Sequence, residues 1–182
     1  MKGKLAAVAF FTTMGISSAV MAVDGNGKID FTGKIIEAGC QVNSTFTSPQ
    51  TVNLGEVAKT TFTAAGDTAS TTAFTLVLSG CPDDLLGKPV HVKYSGTADT
   101  TNNDYVQLTG YGTAGVAKGV AIQLLNADSS ELPLGSESKP VTINADGAVP
   151  TNLDFFARYI ATEAIVTGGN ANGTANFTLT YN

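Results

Sequence analysis

The chain has 182 residues, a formal net charge of −5, a sequence pI near 4.6 and only 14% charged side chains. A mean hydropathy of +0.13 with so little charge excludes an intrinsically disordered chain, and the acidic balance removes the basic footprint of a nucleic-acid binder. One histidine and two cysteines cannot supply a four-ligand zinc site without carboxylates, while 20 glycines among strands written in Val, Ile, Phe and Thr predict one all-β domain.

Residues 1–22 read as a secretory signal peptide. Lys2 and Lys4 precede an apolar stretch from Leu5 to Val20, and Val20-Met21-Ala22 offers a cleavage site. The stretch is short for a membrane anchor and polar at Thr12, Thr13, Ser17 and Ser18. Cleavage after Ala22 leaves 160 residues from Val23, and losing two lysines takes the charge from −5 to −7. Export makes the even pair Cys40 and Cys81 an intradomain disulfide. Closing a loop of about 40 residues stabilises by roughly 4 kcal/mol in the chain-entropy view.

Beyond the signal, apolar residues alternate with polar ones between turn clusters. Val23, Gly25, Gly27, Ile29 and Phe31 share one face, which Gly33 and Ile35 continue towards Cys40. Val52 and Leu54 form a short predicted strand, and Phe74, Leu76 and Leu78 alternate into Gly80-Cys81-Pro82. Val90, Val92 and Tyr94 alternate against His91 and Lys93, which puts His91 on a solvent face. Tyr105 to Leu108, Val120 to Leu124, Leu132 to Leu134 and Val141 to Ile143 follow. Leu153, Phe155, Ala157 and Tyr159 alternate, and so do Phe177, Leu179 and Tyr181. No segment carries a helical apolar face, so the pattern predicts a β-sandwich.

Three motif matches fail on context. Asp24 to Phe31 resembles the middle of an EF-hand loop, but the places for its first acid and its closing Glu hold Ala22 and Gly33. Gly110-Tyr111-Gly112-Thr113-Ala114-Gly115 fits the dinucleotide fingerprint as a string, yet a strand pattern follows where a helix is required, so it reads as a turn. The sequons at Asn43, Asn172 and Asn176 are common by chance in a chain rich in Thr and Asn. One histidine gives no Ser-His-Asp set and the acids are scattered, so no enzyme, metal or cofactor is expected. Arg158, the sole arginine, reads as a structural ion-pair partner.

The mature chain resembles the major-pilin family of bacterial chaperone–usher, type 1-like fimbriae. The resemblance rests on Phe31-Thr32-Gly33-Lys34-Ile35-Ile36, Cys40, Thr51 to Val57, Phe74 to Cys81, Gly119 to Leu125 and Phe156-Ala157-Arg158-Tyr159, in that order. Its most specific part is the end, with Tyr181 penultimate and Gly169 fourteenth from the C-terminus. It implies an incomplete immunoglobulin-like β-sandwich over 32–182, completed by the 23–31 extension of a neighbouring subunit. The pattern itself points the same way. A C-terminal strand without a covering strand and a spare N-terminal strand suggest exchange between neighbours.

In that arrangement Val23, Ile29 and Phe31 are anchors, with Gly25 and Gly27 over shallow places in the groove. Gly169, Phe177, Leu179, Tyr181 and Asn182 belong to the edge that a periplasmic chaperone holds before assembly. The implied partners are like pilin subunits, that chaperone and an outer-membrane usher, with no host receptor named. The expected function is a structural subunit of an adhesive fimbrium on the bacterial surface. The alternative is a minor adaptor or single-domain adhesin of the same kind of fimbrium.

Overall fold

A computed structural model describes residue 32, residues 38–42 and residues 50–182. The readings on Val23 to Phe31 and on Asn43 lie outside the described residues. The described residues form seven strands: β1 (Gln41–Val42), β2 (Thr68–Ser79), β3 (Pro89–Gly96), β4 (Val120–Asn126), β5 (Val141–Thr142), β6 (Thr151–Ala161) and β7 (Ala175–Tyr181). The helical segments among the described residues are two three-residue 3-10 turns, Lys59–Thr61 and Asp83–Leu85. The strands form two antiparallel sheets, β1-β2-β6-β4 and β5-β3-β7.

Period two decides which residues meet between the sheets. Leu76 and Leu78 of β2, Leu153, Phe155 and Ala157 of β6, and Leu124 of β4 face Val90, Val92 and Tyr94 of β3 in one buried cluster. Aromatic rings lie at its centre. Tyr94 meets Phe155 edge-on with centroids 5.4 Å apart, and Phe74 lies 5.7 Å from Phe155. Such edge-on pairs add to the area term because the positive rim of one ring meets the negative face of the other.

Cys40 and Cys81 are joined, with their Cα atoms 4.1 Å apart, so the bridge ties the residue before β1 to the turn after β2. Replacing both with Ala should cost about 2–5 kcal/mol. For a chain of this size that lowers Tm by ~5–15 °C, measured by calorimetry on the oxidised protein and the variant. An unchanged Tm would show that the closed loop contributes nothing to stability.

Several expected segments differ. Val52 to Leu54 forms no strand, although Leu54 is buried. The cause is a bulge in β2 between Ala69 and Thr72, where Ser70 sits at φ 59° and its hydroxyl donates to the Leu54 carbonyl. Asn53 Oδ1 then accepts the Gly55 amide at 2.8 Å, so side chains take the groups that a strand partner would use. Tyr105 to Leu108 makes isolated bridges only, Val106 with Ala98 and Ile122, and Leu108 with Gly173. Leu132 is buried, in a segment whose only ladder contact is the bridge from Leu125 to Glu131. Gly110, Gly112 and Gly115 all have positive φ, which makes that segment a run of turns.

Two polar residues also land differently. His91 is half-buried, and its Nδ1 lies 2.8 Å from the Ser138 carbonyl rather than in open solvent. Arg158 Nε donates to Gln123 Oε1 at 2.6 Å, and Gln123 Nε2 donates to Glu131 Oε1 at 3.0 Å. A neutral amide therefore stands between the guanidinium and the nearest carboxylate in this network, where a direct ion pair was expected.

Candidate functional site

The informative site is the long edge of β7 that faces away from β3, which no described strand covers. Its residues Tyr181, Leu179 and Phe177 pair with Val90, Val92 and Tyr94 of β3. Paired residues share a face, so all six point towards the core. On β3 they are 0%, 1% and 4% exposed, whereas Phe177 is 39% exposed and Leu179 and Tyr181 are half-buried. The Phe177 ring still reaches Tyr94, with centroids 6.4 Å apart. Inward residues one strand further along the sheet are thus less covered than their partners on β3. Among the described residues β7 has one strand partner, so its second row of N–H and C=O groups pairs with no described strand.

Tyr94, under the Phe177 ring, has a buried hydroxyl without a hydrogen-bond partner among the described residues, and burial pushes its phenol well above the usual range. Thr178 and Thr180 point to the opposite face. A β-strand laid along β7 would complete the backbone pairing and shield Phe177 and Leu179 together.

One end of the site is shaped by Gly169. A Cβ there would fall 2.6 Å from both the Ala117 nitrogen and the Val116 carbonyl carbon, so only glycine permits this approach. The approach lets Ala117 N–H donate to the Asn170 carbonyl at 3.0 Å and Asn170 N–H to the Gly115 carbonyl at 2.7 Å. Tyr159 secures the same segment by donating its hydroxyl proton to the Ala171 carbonyl at 3.1 Å. Val116, Val166 and Ala171 pack around buried Leu108, Ala117 and Val120 as a second small core. Phe177, Leu179 and Tyr181 therefore line the β7 edge, while Gly169 acts through the segment that leads into β7. Asn182 N–H continues the ladder to the Pro89 carbonyl at 3.3 Å. The sequence placed Tyr94 only as one inward residue of an alternating strand, and its position under the Phe177 ring was not legible there.

A two-sheet antiparallel sandwich whose last sheet ends in a half-covered strand is an incomplete immunoglobulin-like fold. A family model described as fimbrial protein matches residues 29–182. The type-1 fimbrial protein, A chain, of Salmonella typhi is 36% identical over 188 aligned positions that span 100% of both chains. A Burkholderia pseudomallei antigen and type I fimbria protein, known from a crystal structure, is 40% identical with a TM-score of 0.58, covering 85% of this chain and 97% of that one. A chain from a chaperone–usher pilus structure shares the fold at 24% identity and a TM-score of 0.61, covering 87% of this chain and 97% of that one. The chain belongs to the fimbrial protein family and is a structural subunit of fimbriae.

Proposed function

We propose that the subunit polymerises by donor-strand exchange, with residues 23–31 of one copy laid along the β7 edge of the next. The observation that carries this reading is the exposure of Phe177, an inward-facing aromatic residue on a strand with a free edge. Nine extended residues at about 3.3 Å each span roughly 30 Å, enough to run the length of the seven-residue β7. In this reading Val23, Ile29 and Phe31 are the anchors, while Gly25 and Gly27 face shallow places in the groove. Burying two or three such anchors contributes roughly 3–9 kcal/mol before ordering costs.

The same reading divides the chain into a signal peptide at 1–22, a donor extension at 23–31 and a pilin domain at 32–182. Export then runs through the periplasm, where a chaperone strand covers β7 until an outer-membrane usher presents the next extension. The terminal carboxylate of Asn182 would meet basic chaperone residues. The role is that of the shaft subunit, and abundance in purified fibres distinguishes it from an adaptor.

A synthetic peptide of residues 23–33 tests the pairing directly. At a thousandfold excess over its Kd it stabilises the folded state by about 4 kcal/mol, which raises the Tm of the full mature chain by ~8–16 °C. The same peptide carrying Ile29→Asp should give no shift. No gain at saturating wild-type peptide would count against the exchange.

A further inference from the structure

Tyr181 does more than fill the inward face of β7. Its hydroxyl accepts a hydrogen bond from the Cys40 backbone N–H at 3.1 Å, across 141 positions of sequence. A Cβ on Gly39 would fall 3.0 Å from that hydroxyl and 3.4 Å from ring atom Cε2, so the phenol passes over a residue without a side chain. Cys40 is buried and bridged to Cys81, and the two residues after it pair with Ser79 and Leu78 of β2. Tyr181 itself pairs with Val90 in the other sheet. One phenol therefore joins the disulfide-held edge of the first sheet to the free-edged strand of the second.

We propose that Tyr181 is a positioning residue that couples the Cys40–Cys81 bridge to the C-terminal end of β7. The bridge and the β1–β2 pairing hold the Cys40 amide in place. That amide belongs to a buried residue, so leaving it without an acceptor would be costly, and the phenol oxygen is drawn to it. Bare Gly39 lets the ring lie close enough for the bond to form. Coupling of this kind is reciprocal, so loosening either end loosens the other. A partner strand adding along β7 then meets a fixed strand end only in the oxidised chain. The coupling is internal and goes beyond the exchange reading, because it holds whatever pairs with β7.

The test uses the full mature chain alone, with no partner or donor peptide. Tyr181→Phe keeps the ring and removes the acceptor, and Gly39→Ala displaces the phenol from the other side. Two rates are read in each: amide hydrogen exchange at Tyr181 and Asn182, and reduction of the folded protein's disulfide by dithiothreitol. Both should rise roughly fivefold, the factor that corresponds to one hydrogen bond of ordinary net strength. Phe177→Leu, which loosens the start of β7 four residues before the phenol, should speed exchange at residues 176–178 while leaving both exchange at Tyr181 and Asn182 and reduction unchanged. Reduction at the parent rate in either folded variant overturns the coupling. So does reduction in Phe177→Leu as fast as in Tyr181→Phe, since that would report general opening of the strand.

Discussion

Ile29→Asp is expected to abolish fibres while leaving export and the Cys40–Cys81 bridge intact. In the exchange arrangement residue 29 enters a groove walled by Phe177 and Leu179 and floored by the core that buries Tyr94. A carboxylate there either stays charged without water or takes up a proton, and each route costs several kcal/mol. About 3 kcal/mol lowers the affinity of the donor strand more than a hundredfold. The domain that carries the substitution keeps its own open β7 edge, so it should still accept a wild-type peptide of residues 23–33. Ile29→Val, which removes one methylene, should retain fibres. Electron microscopy and gels of sheared surface material read the outcome, and normal fibres from Ile29→Asp would refute a donor role for this segment.

The second large effect is expected from a single methyl group. Gly169→Ala would set its Cβ 2.6 Å from backbone atoms of Val116 and Ala117, which are parts of the fold that have no flexible end to swing away. Relief requires the 165–171 segment to lift, breaking the hydrogen bonds of Asn170 with Ala117 and Gly115 and uncovering the small core at Leu108, Ala117 and Val120. Overpacking of this kind costs about 1–3 kcal/mol, or a Tm lower by ~3–10 °C. The adjacent residue supplies the control. A Cβ on Gly168 meets nothing within 4 Å, so Gly168→Ala should leave Tm within about 2 °C of the parent. Equal losses from the two variants would show that chain flexibility, and not close approach, explains the glycine.

The strands with clean alternation were legible because burial on one face of a sheet writes itself directly at period two. Phe74 to Leu78, Val90 to Tyr94, Leu153 to Tyr159 and Phe177 to Tyr181 all lie in strands of the predicted parity. Val52 to Leu54 carries the same local signal yet forms no strand, because a serine at a bulge 16 residues later captures the Leu54 carbonyl. Gly169 was legible as a position but not as a cause, since its reason lies in the backbone of Val116 and Ala117, far away in sequence. The partner of Arg158 was equally hidden. A buried amide at Gln123 answers to strand register between β4 and β6, which composition does not encode. The uncovered state of Phe177 needed coordinates, because an alternating strand looks the same whether one neighbour or two flank it.

The pairing of β3 with β7 also sets an order of events in time. Val90 meets Tyr181, 91 positions further along, and β2 meets β6 at Leu78 and Thr151, 73 positions apart. Contacts between such distant positions must close large loops before they return any stability, which places a domain of this kind among slow folders. The three-stranded sheet lacks its longest-range pairing until β7 docks on β3. During that interval Val90, Val92 and Tyr94 have no strand on the side that β7 will occupy. Cells that make this subunit therefore meet its most aggregation-prone form before folding is complete.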